Sequence, residues 1–381
     1  MGWRMKSRTE AYFDQEYPPE ICGPDPLDAL RAISGTNQLE KMRAMMDEAT
    51  YVIPDMVTSG TITQFFSLPN GGKTLFVIRS LIDAIREGRV KGRDVFYINE
   101  DDQFRGFLSK SEIADKYGFV MVSSARSDDE AIRDAASVLK TILGAAHSDN
   151  VQGKVFVFDT LKKFTDLMNK EQLKTFFKAL RVITGRGGTV ILLGHANKHL
   201  VDGKLIFEGM GDIKADIDVQ YAIYGLSERT DSNQVIKFVN EKDRGDVVME
   251  RTMQYTKTQG CTYEELLFSL SVADDSEVAR LEQEARRAAI YKTFEGEVPY
   301  ILEAIQPGDE VLMTEFVAEF MRLTTHEKTD AALNVRGRNQ LRLAVEALVG
   351  YDLTMSRGNK GAKVLSRSGS LADKYRQKDG E

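Results

Sequence analysis

Cysteine is nearly absent: the 381-residue chain has two, Cys22 and Cys261, and they do not form a CxxC pair. That excludes a disulfide framework or a thiolate-built zinc site and suits a reducing, cytoplasmic setting. Long apolar runs are missing as well. No stretch approaches the roughly 18 residues needed to cross a bilayer, and the opening MGWRMKSRTEAYFDQEYPPE lacks the apolar core of a signal peptide. A soluble cytoplasmic protein with no membrane partner is therefore expected. Positive charge is also in deficit, with 51 Lys+Arg against 58 Asp+Glu and a net charge of -7. Averaged over the chain, this argues against nucleic-acid binding. With 42% hydrophobic, 29% charged and 9% aromatic residues, the chain is neither disordered nor of low complexity, and at roughly 150 residues each it has room for two domains. It contains no internal repeat.

Five regions follow from the patterning. Residues 1–50 are acidic, carry four of the eight prolines and end in a Met-rich helical stretch, Leu39 to Ala49; they read as a leader with a docking helix. Residues 51–275 alternate short β-branched or aromatic runs with amphipathic helices. Strands are expected at Ile62–Leu68, Asp94–Asn99, Phe119–Ser123, Lys154–Phe158 and Thr189–Gly194, with helices at Lys73–Glu87, Ser127–Ala146 and Lys170–Gly185. This is the rhythm of an α/β domain with right-handed crossovers and a mostly parallel sheet. Val219–Leu226, Gln234–Asn240, Val247–Thr256 and Leu266–Val272 are expected as antiparallel strands extending one edge. Residues 276–292 form a charged connector helix. Residues 293–367 show three helical patterns, Pro299–Ile305, Leu312–Leu323 and Asn339–Leu348, then a hairpin with Gly358–Gly361 at its tip. That is the order of a winged helix-turn-helix. Residues 368–381 read as a disordered tail.

The strongest chemical signal is ITQFFSLPNGGKTLFVIRSLIDAI, an apolar strand running through Ser67-Leu68-Pro69-Asn70-Gly71-Gly72-Lys73-Thr74 into an amphipathic helix. A P-loop needs glycines where amides curl around phosphates, a lysine to reach the β- and γ-phosphates, and a hydroxyl for Mg²⁺. Gly72, Lys73 and Thr74 match, with Asn70 and Gly71 in the loop; Ser67 stands where the strict pattern has its first glycine. Asp159 ends the buried strand KVFVFD, where a second acidic group would hold Mg²⁺ through water. Glu100, Asp101 and Asp102 follow another strand end. A carboxylate there can act as general base for an attacking water, with Glu100 the foremost candidate.

In combination these residues resemble the RecA-like ATPases of the RepA and DnaB hexameric replicative helicase type. VIPDMVTSGTITQFFSLPNGGKT is similar to the segment that leads into that family's P-loop, and VFYINEDD to the strand ending in its catalytic glutamate, here Glu100. VILLGHANKH is similar to the strand ending in a polar γ-phosphate sensor, here His195. GKLIFEGMGDIKADIDVQYAIY resembles the loop facing a central channel and DNA, which would place Met210 and Lys214 on DNA. FVNEKDRGD resembles the Lys-x-Arg pair that reaches a neighbour's ATP, here Lys242 and Arg244. The resemblance covers residues 51 to 273 and implies ATP and Mg²⁺ as ligands, single-stranded DNA as a partner and a homo-oligomer, ring or filament. His195 and His199 stand at i, i+4, but with no third ligand nearby a zinc site is not expected.

Charge reverses sign within the last domain. Lys292 to Asp330 holds three basic and nine acidic residues, Ala331 to Ser370 seven basic and two acidic. Arg336, Arg338 and Arg342 lie around the start of the third helix, and Arg357, Lys360 and Lys363 on the hairpin, where a winged helix meets DNA. The whole-chain net charge therefore does not decide against nucleic acid. The expected function is an ATP-hydrolysing DNA motor, a hexameric helicase or translocase in DNA replication with a replication or recombination protein as partner. The alternatives are a recombination or repair ATPase and an ATP-switched winged-helix regulator.

Overall fold

The computed structural model describes residues 51–148, 150–197, 204–209, 213–227, 232–326, 334–358 and 361–367, with Ser34, Leu39 and Glu40. Most of the expected leader and its docking helix, Met210, Lys198, His199, Lys360 and the tail lie outside them.

Apolar β-branched and aromatic runs build a nine-stranded mixed sheet. Its strands are β3 (Ile62–Ser67), β4 (Val95–Asn99), β5 (Val120–Val122), β6 (Val155–Asp159), β7 (Thr189–His195), β8 (Val219–Gly225), β9 (Asn233–Lys242), β10 (Glu250–Thr256) and β11 (Ser271–Val272), in the order β11-β10-β9-β8-β3-β7-β6-β4-β5. The six from β8 to β5 run parallel, and β9 to β11 continue antiparallel. A two-stranded ribbon, β1 (Tyr51–Ile53) with β2 (Val57–Thr58), precedes them. Central strands are covered on both faces, and β3 and β6 are buried throughout, largely by apolar residues, with Gln64 of β3 accepting a hydrogen bond from Gln220 of β8.

Helices α1 (Lys73–Arg86), α2 (Phe104–Tyr117) and α6 (Tyr263–Phe268) cover one face, where Leu81, Ile113 and Leu267 join Phe65 and Tyr97 in a core. Helices α3 (Ala135–His147) and α4 (Lys170–Gly185) cover the other, around Phe158, Phe176 and Leu180. The short α5 (Ile213–Asp216) leads into β8.

Three expectations are corrected. Val219–Leu226 is not antiparallel to its inner neighbour: β8 runs parallel to β3, with Thr63 opposite Val219. Within this sheet β9 is the first strand in chain order to run the other way, with Ile223 opposite Phe238. Leu266–Val272 is strand only at its end, Ser271–Val272, because Thr262 and Glu265 form a capping box that starts α6, which takes up Leu266–Phe268 and turns Leu267 and Leu270 inward. Ser127–Ala146 begins later than expected, at Asp134, whose side chain caps the Ser137 amide. Helix α2 had no clear signal, since it buries only Lys110, Ile113 and Ala114.

The connector is α7 (Asp275–Thr293), capped by Asp274. It packs on β9 through Leu281 against Val235 and through the Lys237–Glu282 ion pair. A second unit follows: α8 (Glu297–Ala304), β12 (Glu310–Leu312), α9 (Met313–His326), α10 (Arg338–Leu348), β13 (Leu353–Arg357) and β14 (Lys363–Arg367). The hairpin β13–β14 appears as expected, and β12 adds a third strand beside β14. This unit has its own core of Ile301, Phe316, Leu341 and Val345. Among the described residues no helix is long and apolar enough to cross a membrane.

Candidate functional site

The parallel strands deliver their carboxyl ends to one rim of the sheet, where crevices form in open α/β folds. At β3 the chain turns from Ser67 to Gly72 before α1. Asn70 has φ 61° and Gly72 φ 82°, both left-handed, which asparagine and glycine tolerate best. A Cβ on Gly71 would stand 2.3 Å from Ser67 Oγ, so the loop folds back onto the strand end only with glycine there. Gly72 is the N-cap of α1, with no side-chain cap and no acidic residue in the first turn. The amides and the positive end of the helix dipole are thus left for an anion.

Lys73 lies beneath this turn, 6% exposed, its Nζ donating to Ser67 Oγ at 2.9 Å; that hydroxyl in turn donates to Leu68 O at 2.7 Å. The serine at the glycine position therefore supplies the acceptor that parks the lysine. Burial brings the Lys73 amine down to about 8, with Asp159 and Asp101 opposing in part.

Thr74 Oγ1 donates to Asp159 Oδ2 at 2.9 Å, and Tyr97 OH donates to the same oxygen at 2.7 Å. Burial raises the Asp159 carboxyl, and these two hydrogen bonds act against that rise. A hydroxyl beside a carboxylate is a hard-oxygen donor set of the kind Mg²⁺ takes, with remaining positions for water and phosphate. Among the described residues there is no cluster of three His, Cys, Asp or Glu suited to an all-protein metal site.

The three carboxylates after β4 have separate roles in the fold. Asp102 is tied to Lys110 and Asn99. Asp101 Oδ2 lies 3.9 Å from His195 Nε2. Glu100 bonds through its backbone N–H to Asp159 O at 2.7 Å, and its Oε1 accepts the Ser124 N–H at 2.6 Å, which fixes the carboxylate at the crevice. His195 pairs with Ser67 in the β3–β7 register; its Nδ1 is buried without a hydrogen-bond partner. Burial, then Lys73 and Lys162, lowers its affinity for a proton, so it is neutral at pH 7. Lys73, Thr74, Asp159, Glu100 and His195 thus meet at one rim. Sequence reasoning missed Tyr97 and Ser124. Tyr97 carried a signal, lying two residues before Asn99 on the same strand face; Ser124 acts through its backbone and carried none.

The other candidates lie elsewhere. Lys242, opposite Gln220 at the far end of β9, donates to the carbonyls of Lys214 and Ala215, and burial with Arg244 nearby lowers its proton affinity. Arg244 is exposed just beyond it. Lys214 pairs with Glu241 at 3.2 Å. In the second unit Arg336 is held by Glu297, whose side chain is fully buried, through contacts of 2.9 and 3.1 Å. Arg338, Arg342 and Arg357 are exposed, and Lys363 makes a 3.7 Å contact with Glu346. No family model matches the chain, and no curated protein matches it.

Proposed function

We propose that the chain is an ATP-hydrolysing DNA-binding motor, with a RecA-like P-loop core and a winged-helix-like C-terminal domain. The observation that carries this is the convergence of Lys73, the Thr74–Asp159 pair and Glu100 at one rim of the sheet. Four groups from three strand ends, in the roles phosphoryl transfer requires, are not needed for stability: Lys73 and Asp159 are both costly to bury.

In this reading the Gly72–Thr74 amides wrap the phosphates and Lys73 turns from Ser67 toward the γ-phosphate. Thr74 and Asp159 are the residues that would hold Mg²⁺, which would supply charge neutralisation to the phosphates. Glu100 keeps one oxygen on the Ser124 amide and takes the proton of the attacking water with the other. Neutral His195 contacts the γ-phosphate. Lys242 and Arg244 act on the ATP of a neighbouring copy in a homo-oligomer, and the segment around Met210 and Lys214 meets single-stranded DNA.

One observation favours an alternative. With Arg336 committed to Glu297 and Lys363 beside Glu346, two of the described cations expected on DNA are engaged within the C-terminal unit, which suits an ATP-switched regulator whose last domain docks protein. ATPase rates of the full chain in Mg²⁺, with and without single- and double-stranded DNA, separate the readings. DNA-stimulated turnover with strand displacement is the expected result. Stimulation without displacement favours a recombination or repair ATPase, and absence of stimulation eliminates the motor. Lys73→Ala is expected to abolish turnover, and near-normal turnover would refute the phosphate-site assignment.

A further inference from the structure

Tyr97 is fully buried in the core beneath α1, yet its hydroxyl is spent on a carboxylate rather than on the backbone. The reason is register. In the β4–β6 pair Tyr97 lies opposite Val157 and Asn99 opposite Asp159, so Tyr97 and Asp159 project to the same face one pleat apart. One pleat is about 6.7 Å, a span that a tyrosine, reaching along the strand, closes with a phenol O–H and a phenylalanine does not. Asp159 Oδ2 thereby receives two donors, Tyr97 from below and Thr74 from the loop side. Two donors on one oxygen fix the carboxylate's rotation and keep the Thr74 hydrogen directed at Asp159, leaving the Thr74 lone pairs for a cation.

We infer that Tyr97 is a positioning residue for the divalent cation, holding Asp159 and through it Thr74 in the orientation that accepts Mg²⁺ with bound nucleotide. The inference rests on the nucleotide site proposed above. Partners of this kind, behind the residues that face a metal, typically contribute a factor of 10 to 100 in metal affinity. Tyr97 is fully buried and meets the site only through Asp159 Oδ2 among the described contacts, so its loss acts on the cation and not on the nucleotide alone.

The test is Mg²⁺ titration of binding, read by fluorescence of an N-methylanthraniloyl-labelled ATP, for the wild type and Tyr97→Phe. The expected result is a half-saturating Mg²⁺ concentration raised about tenfold, with unchanged nucleotide affinity in EDTA and a modestly lowered thermal transition, because buried Asp159 loses one of its two donors. Tyr97→Leu, which also lacks the donor, is expected to shift the Mg²⁺ dependence in the same direction. An unaltered Mg²⁺ half-saturation in Tyr97→Phe overturns the inference, as does an equal loss of affinity in EDTA, which would mark Tyr97 as a packing residue. If the wild type itself shows no Mg²⁺-dependent nucleotide binding, the nucleotide site fails and the inference falls with it; a normal wild-type titration and an unaffected variant sink Tyr97 alone.

Discussion

Lys73→Met is expected to stabilise the nucleotide-free protein while abolishing hydrolysis. Lys73 is almost fully buried, and its one described hydrogen-bond acceptor is a neutral hydroxyl. The difference between its ordinary value of 10.5 and about 8 in the folded chain corresponds to about 3 kcal/mol. The sign follows from proton counting. Below pH 8 the folded and unfolded chains both hold the proton, so the full penalty is present and does not vary with pH. Between about 8 and 10.5 the unfolded chain binds more protons, and stability climbs with pH until the penalty is gone. Methionine fills a similar volume without charge, and Ser67 Oγ keeps its bond to Leu68 O. Urea unfolding without nucleotide should therefore find the variant more stable by about 3 kcal/mol near pH 7 and by about 1 kcal/mol near pH 9.5. Other groups that titrate in this range cancel in the difference. A variant no more stable than the wild type at neutral pH, or a difference that does not change with pH, would refute the reasoning.

Three further outcomes are expected. Gly72→Ala places a Cβ at left-handed φ and 2.9 Å from Ile236 Cδ1, which should cost about 1–2 kcal/mol in unfolding experiments and weaken nucleotide binding by displacing the loop. Arg336→Ala takes the guanidinium from the buried Glu297 carboxylate, leaving it the backbone N–H of residue 336, and should lower the thermal transition of the C-terminal unit; an unchanged transition would mean that Arg336 is free for DNA after all. Arg342→Ala should leave stability unchanged and reduce the slope of log affinity for DNA against log salt by about 1, whereas an unaltered slope would remove that helix from the DNA interface.

Strong periodicity made most of the architecture legible. Lys170–Gly185 forms over the expected residues because Leu173, Phe176, Phe177, Leu180 and Ile183 repeat at helical spacing. The loop from Ser67 to Thr74 was legible because glycine and lysine have few reasons to stand together between a strand and a helix. What failed depended on pairing partners. Nothing within Val219–Leu226 says whether its neighbour runs parallel, because an apolar strand buried on both faces looks the same either way. Helix α2 was hidden because a helix lying at the sheet's margin buries only a narrow stripe. Arg336 looked like its neighbours in the basic cluster, and only the tertiary fold brings Glu297, 39 residues away, to neutralise it.

The reversal of direction at β9 bears directly on how hydrolysis would be completed. All loops that follow parallel strands lie at the rim of Lys73, but β9 runs the other way and carries Lys242 and Arg244 to the opposite rim. The cross-strand rows run Ser67–Ile223–Phe238 and Gln64–Gln220–Lys242, three residues apart along β3. That is about 10 Å along the strands and a further 10 Å across two strand spacings, with Arg244 farther still. Neither side chain can reach its own chain's phosphate site, so if they contribute to hydrolysis they do so on another copy, through a head-to-tail contact. Arg244→Ala should then bind nucleotide normally and hydrolyse it poorly. Lys73→Ala has the complementary defect, an inactive site with an intact arginine. In an equal, randomly assorted mixture, about a quarter of the contacts join an intact site to an intact arginine, and activity should recover toward that fraction of the wild-type rate. Two inactive variants that stay inactive when mixed, under conditions where they demonstrably co-assemble, would exclude action in trans and leave Lys242 and Arg244 as a charged rim with no part in the chemistry.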